Sequence, residues 1–151
     1  MMFTQVRYFI KTSILFLVLG LIAGLYMSLA QIVGWSYGYS LVLAHTHIIL
    51  IGSVMMMIMG VALWFFPRPT KEDKRYKPEI IRILYWVMTV STLGRFFVEA
   101  YDGLRPFGMR DVLVLISGAL QVFCMVGFFY MIWGRIRPVG SQFREAEGEK
   151  F

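Results

Sequence analysis

Residues 39–66 read YSLVLAHTHIILIGSVMMMIMGVALWFF and contain no Asp, Glu, Lys or Arg. About 20 consecutive, mostly apolar residues in a helix are enough to cross a membrane, and this run exceeds that. Working outward, three more runs meet the same criterion, at 8–32, 80–98 and 112–133. Composition agrees: of 151 residues, 58% are hydrophobic, 17% aromatic and only 16% charged, against about 25% charged in an ordinary soluble domain. The expected fold is therefore an all-α membrane protein, an antiparallel bundle of four transmembrane helices. It forms a single membrane domain over 1–151, with 134–151 as a weakly ordered, solvated cytoplasmic tail.

The connections set the topology. The first, VGWSYG at 33–38, is short and uncharged, as a helical hairpin requires. The second, PRPTKEDKRYKPE at 67–79, is dense in charge and bounded by prolines that cannot continue a helix. The third, at 99–111, mixes both signs around Gly103, Pro106 and Gly108. Cytoplasmic loops of membrane proteins carry the excess of Lys and Arg. Here Arg7 and Lys11, then Arg68, Lys71, Lys74, Arg75 and Lys77, then Arg135, Arg137, Arg144 and Lys150 crowd one side. That places both termini and the second connection in the cytoplasm (N-in/C-in), and connections one and three outside. Trp35, Tyr37, Tyr39, Trp64 and Trp133 fall near the expected interfaces, as an aromatic belt does.

Several function classes drop out. The formal net charge of +6 comes from residues flanking the apolar runs, where basic side chains fix topology and meet anionic lipid. No basic stripe lies elsewhere, so nucleic acid is not an expected partner. The single cysteine, Cys124, sits inside an apolar run. It forms no intrachain disulfide, and no CxxCH exists to attach haem covalently. The first apolar run is long enough to span and reads as a retained helix rather than a signal peptide.

Only two histidines exist, His45 and His47, both inside the second helix about two turns from its outer end. Ionisable groups within a span are costly and mark function by default, and neutral imidazole is the commonest metal ligand. The plain alternative is a pair of interfacial histidines bonded to carbonyls or water. At about 100° per residue, positions i and i+2 lie about 200° apart, so one metal or haem iron cannot readily take both. On a straight helix, Gly52 lies below His45 and Gly60 is about 60° away, while Val54 and Ile58 lie below His47. Glycine lets a flat ligand or another backbone come close. His45 is therefore the better candidate haem ligand, unless the two glycines simply admit a neighbouring helix.

Arg95 and Glu99 share a face of the third helix and can pair; Asp102, Arg105, Arg110 and Asp111 follow. Arginine is the preferred fork for carboxylates, and haem propionates are carboxylates, so Arg95, Arg105 and Arg110 join the candidate cofactor site. A plain surface ion-pair cluster is the alternative. Met55, Met56, Met57 and Met59 read as packing residues; Met27 and Met109, nearer the histidines, are minor candidates for an axial thioether. Gly20 and Gly24 form a GxxxG that favours close helix packing, within the bundle or across a dimer.

The segment AHTHIILIGSVMMMIMGVALWFFPRP, residues 44–69, resembles the second helix of haem-copper oxidase subunit I, above all its nitric oxide reductase branch. It looks most like short four-helix proteins similar to that subunit. The shared pattern is a His-x-His opening at His45 to His47, a Leu-x-Gly step at Leu50 to Gly52, Met59 with Gly60, and a close at Phe66 to Arg68. The rest of the chain matches only weakly. The resemblance implies that His45 is an axial ligand of a low-spin b-type haem near the outer face of a bacterial or archaeal inner membrane. His47 stays open, because the spacing to the closing proline is off by about one residue. The full subunit has many more helices and several further histidines, for its second axial position and its binuclear centre. None exists here, so this chain alone holds no oxygen- or NO-reducing centre, and no nucleophile or acid–base pair stands out in its spans. The expected function is electron transfer through haem b, completed by a homodimer mate or by a partner in a larger respiratory complex. The alternatives are a cofactor-free structural or assembly subunit and a small membrane protein taking copper on His45 and His47.

Overall fold

The computed structural model describes residues 2–67, 69, 75–106, 108–137, 140, 143–144 and 147–148. Arg68, Lys71 and Lys74 of the basic second connection, and Lys150 of the tail, lie outside the described residues. All regular structure among the described residues is helical. Helix α1 spans Met2–Val33, α2 Tyr39–Phe65, α3 Pro78–Leu104 and α4 Arg110–Ile132, the last followed by a 3₁₀ turn at Trp133–Arg135. All four are long and apolar enough to cross a membrane. In lipid every backbone polar group must be satisfied internally, and uninterrupted helices do this.

Local chemistry sets the ends. Gly34 follows α1 at φ +81, a left-handed conformation that favours glycine. Trp35 N–H then reaches back to the Ala30 carbonyl at 2.8 Å, the terminal bond of a Schellman cap. Pro78 opens α3 and Glu79 stands in its first turn; the one brings a preset φ, the other a favourable charge at the positive helix end.

Two helices run past the expected bounds. α1 starts at Met2 rather than near residue 8, and α3 continues from 98 to Leu104. The apolar run of α3 stops where Glu99 and Asp102 begin, but the helix does not, because both carboxylates find partners. Glu99 bonds with His47 and Arg95, and Asp102 takes a hydrogen bond from Ser40 in α2.

Contacts pair the ends. Near the start of α1, Gln5 donates to the Pro78 carbonyl at 2.6 Å, and Thr12 shares a 2.7 Å hydrogen bond with Tyr85. At the other end of α3, Gly103 abuts the backbone of α2. A Cβ on Gly103 would lie 2.6 Å from Leu41 N, and Gly38 N–H bonds the Gly103 carbonyl at 2.7 Å. The core between these ends is aromatic and methionine-rich: Phe9, Phe16, Met56, Met59, Met88 and Phe128 are fully buried. Phe9 meets Tyr85 and Phe128 edge-on, with ring centroids 5.2 and 5.8 Å apart. Cys124 is buried and free.

One departure from regularity governs the site. α2 is α-helical over Tyr39–His47, π-helical over Ile48–Met55 and α-helical again over Met56–Phe65. The i→i+5 bonding of a π segment widens the helix, is usually confined to one turn and often occurs at functional sites. It also rotates every later side chain away from its straight-helix direction. Facial relations read at about 100° per residue therefore hold only approximately beyond His47. Val54 and Ile58 are exposed on the bundle exterior, whereas His47 points inward. Gly52, like His45, faces α1, and it touches α3: a Cβ there would lie 2.7 Å from Phe16 and 3.0 Å from Thr92.

Candidate functional site

The two histidines occupy different environments, two residues apart. His47 faces α3. Arg95 Nη2 donates to its Nε2 at 3.0 Å, and its Nδ1 contacts Glu99 Oε2 at 3.0 Å. Arginine has no acceptor, so Nε2 must carry the lone pair. Nδ1 therefore holds the proton and donates to Glu99. Both ring nitrogens of His47 are thus engaged.

The network continues. Arg95 Nε donates to Glu99 Oε1 and Nη1 to Gln121 Oε1, each at 3.0 Å. Gln121 Nε2 donates to Thr92 Oγ1 at 3.1 Å. Glu99 is fully enclosed (0% exposed), and Gln121 and Thr92 are buried. One guanidinium faces one carboxylate, so the network adds no net charge to the interior. Gly118 of α4 leaves room for the guanidinium, since a Cβ there would lie 3.4 Å from Arg95 Nη1. Desolvating such a pair is expensive, and it survives because each of its groups is hydrogen-bonded.

His45 faces the other way, toward α1. Its Nδ1 lies 2.8 Å from the Gly20 carbonyl. A carbonyl only accepts, so Nδ1 carries the proton and Nε2 the lone pair. Nε2 has no hydrogen-bond partner among the described residues. The imidazole fits here because of Gly24: a Cβ at that position would lie 2.9 Å from Cε1 and 3.2 Å from Nδ1 of His45. Gly20 is filled by Ile49, at 2.4 Å from a hypothetical Cβ. The GxxxG of α1 is thus occupied within the chain, by α2. Gly60 likewise admits Phe9 and Ile10 of α1. Gly52 and Gly60 admit neighbouring elements, the second of the two sequence-based alternatives.

His45 forms part of the wall of an open groove of about 640 Å³ between α1 and α2, with Leu21, Leu25, Met27 and Val42 as apolar lining. Leu21 and Leu25 are 57% and 70% exposed, so the groove opens to the exterior of the chain. Ser28, Gln31 and Tyr37 supply polarity toward the Val33 end. Gln31 donates to the Tyr37 hydroxyl at 3.1 Å.

The candidate arginines are elsewhere. Arg95 serves His47, not His45. Arg110 donates to Asp111 at 2.7 Å and lies 3.7 Å from Asp102, and Arg105 is exposed. None of the three lines the His45 groove. Met27 does; Met109 is exposed at the start of α4. His45 and His47 share no site for one copper ion. Among the described residues no group of three or more His, Cys, Asp and Glu could hold a metal.

Two buried polar positions are not evident from the sequence pattern. Gln121, an amide inside an apolar helix, was its own signal, because polar side chains within spans seek interhelical partners. Arg135 reads in sequence as one more topological charge. In the structure it is fully buried and donates to the carbonyls of Leu63, Phe66 and Pro67 at 2.8–2.9 Å. It caps the end of α2, where carbonyls lack intrahelical partners. Its guanidinium also lies 4.8 Å from the Tyr76 ring centroid. Burial pushes the Tyr76 phenol above its ordinary pKa, against the opposing effect of Arg135.

Comparison with family models, with curated proteins and with solved structures returned no match. Four apolar helices define an integral membrane protein.

Proposed function

We propose that this chain is a b-type haem-binding membrane protein that transfers electrons, with His45 as its one axial ligand. It would be an antiparallel bundle with both termini in the cytoplasm of a bacterium or archaeon and the histidines near the outer face. One observation carries this reading. The Gly20 carbonyl holds Nδ1–H of His45, leaving Nε2 with a lone pair at the wall of an open, largely apolar groove. Metal-ligating histidines usually donate their other ring N–H to just such a carbonyl or carboxylate, which fixes tautomer and ring orientation. The groove volume falls within the roughly 300–1,000 Å³ of small-molecule and cofactor sites.

The donor set fits a haem on the ligand side. A bound haem would supply a reversible one-electron couple. Gly20 orients the imidazole, Gly24 gives it room, and Leu21, Leu25 and Val42 would exclude water from the ligand. Propionates would meet Ser28, Gln31 and Tyr37 rather than Arg95, Arg105 or Arg110. The chain offers one free imidazole nitrogen, so a second ligand would come from Met27 in the same groove or from outside. The exposed groove favours an outside donor: His45 of a symmetry mate, or a subunit of a larger respiratory complex.

The test is the absorption spectrum and haem content of the protein purified in detergent, with its mass in the same detergent. A Soret band, with one haem per chain or one per dimer, is the expected result. Colourless protein that takes up no haem on reconstitution would remove this function and leave a structural or assembly role.

A further inference from the structure

The starts of α1 and α3 frame a recess far from both histidines. Gln5, Tyr8, Glu79, Arg82 and Trp86 are among its walls, and its volume is about 480 Å³. The spans begin at Thr4 and Pro78, so the recess lies at the level where a bilayer's polar headgroups meet its hydrocarbon.

Gln5 is the informative residue. It is only 8% exposed, and its Nε2 donates to the Pro78 carbonyl at 2.6 Å. That bond fixes the amide, since only the nitrogen can face a carbonyl. Oε1 is therefore an acceptor, and it is buried without a hydrogen-bond partner. Buried acceptors are nearly always satisfied, and an exception calls for a missing partner. That partner must donate a hydrogen.

The charged groups of the recess specify the rest. Arg82 is exposed at its rim and forms no ion pair or hydrogen bond among the described residues. Guanidinium is the preferred partner of phosphate. Glu79, also exposed and without an ion pair there, adds a second acceptor suited to a cation. Tyr8 and Trp86 are half-exposed aromatics, the side chains that settle at membrane interfaces. The ligand this wall complements carries an anion for Arg82 and an N–H-bearing cation for Gln5 and Glu79.

We propose that the recess binds a phosphate ester bearing a primary ammonium, in the form of a phospholipid headgroup. The phosphate meets Arg82, the ammonium meets Gln5 Oε1 and Glu79, and the glyceryl side passes Tyr8 and Trp86 toward the bilayer. A trimethylated ammonium has no N–H and leaves Gln5 Oε1 unsatisfied, so the site discriminates ethanolamine from choline.

The full chain, purified in mild detergent, is mixed with phosphatidylethanolamine and phosphatidylcholine of identical acyl chains, and retained lipid is counted by native mass spectrometry. Ethanolamine lipid should be retained about tenfold over choline lipid, as expected when a site built to hydrogen-bond meets an analogue lacking the donor. Arg82→Gln should lower retention of both lipids, and Glu79→Gln should narrow the ratio. Both positions are exposed, so the fold should survive. Gln5→Met should abolish the preference, with helicity checked by circular dichroism because the Pro78 bond is also lost. Displacement by an equal concentration of soluble glycerophosphoethanolamine would make the free ester the ligand; no displacement makes it the lipid. Equal retention of the two lipids by the wild type, or retention unchanged in both Arg82→Gln and Glu79→Gln, would overturn the site.

Discussion

Replacing Arg95 by Leu removes the hub of the buried network. The guanidinium donates to Glu99, His47 and Gln121, each at 3.0 Å. Leucine leaves the Glu99 carboxylate, 0% exposed, with only the Nδ1–H of His47. It also strips the donor from Gln121 Oε1 and from His47 Nε2. Removing one partner of a buried ion pair costs about 3–5 kcal/mol. In a membrane the unfolded reference also finds partners, which puts the expected loss near the lower end, about 3 kcal/mol. The double variant Arg95→Leu/Glu99→Leu removes both charges together. It should cost less than Arg95→Leu alone, with a coupling energy of about 2 kcal/mol. Reversible unfolding in mixed detergent, followed by fluorescence of the four tryptophans, measures the wild type, Arg95→Leu, Glu99→Leu and the double variant, which closes the cycle. A loss under about 1 kcal/mol for Arg95→Leu would put the pair among exposed ion pairs and refute an enclosed network. So would additive costs in the double variant.

Three further outcomes follow from the same geometry. Gly24→Ala places a Cβ 2.9 Å from the His45 ring. Overpacking of about 1–3 kcal/mol offsets an alanine helix gain of about 1 kcal/mol, so circular dichroism should show an intact fold while haem uptake falls severalfold. Arg135→Lys keeps the charge but loses the planar fork that meets three carbonyls; a loss of about 2–3 kcal/mol is expected in the same unfolding assay. Tyr76 should ionise above the ordinary tyrosine value of about 10, because burial disfavours the phenolate. Its folded pKa is raised, so its contribution to stability is complete below the unfolded value and is lost as pH rises through the folded one. A difference titration of phenolate absorbance between wild type and Tyr76→Phe checks this, and coincidence with free tyrosine would contradict it.

The spans were legible because apolar length is written directly in residues such as those of 39–66. So was the pairing of Arg95 with Glu99, which rests on i,i+4 spacing alone. The division of the histidines onto two faces was legible for the same reason, since only Thr46, in ordinary α-helix, separates His45 from His47. No residue type between Ile48 and Met55 announces the π segment that follows His47. Charge misled in two places. Glu99 and Asp102 looked like the end of a span, and Arg135 looked like a surface cation. In each case a tertiary partner, invisible in the local pattern, satisfies the group. Of the arginines expected near a cofactor, Arg95 serves His47, Arg110 lies by Asp102 and Arg105 is exposed. That leaves a groove whose polarity is carried by Ser28, Gln31 and Tyr37.

The central claim is that His45 has the free imidazole nitrogen and His47 does not. The most direct test compares the visible spectra of haem-reconstituted wild type, His45→Gly and His47→Ala, each with and without added imidazole. The account predicts that His45→Gly loses the low-spin spectrum and regains it with imidazole, while His47→Ala keeps it. A spectrum lost in His47→Ala and retained in His45→Gly would contradict the assignment, and no haem bound by the wild type would contradict the function built on it.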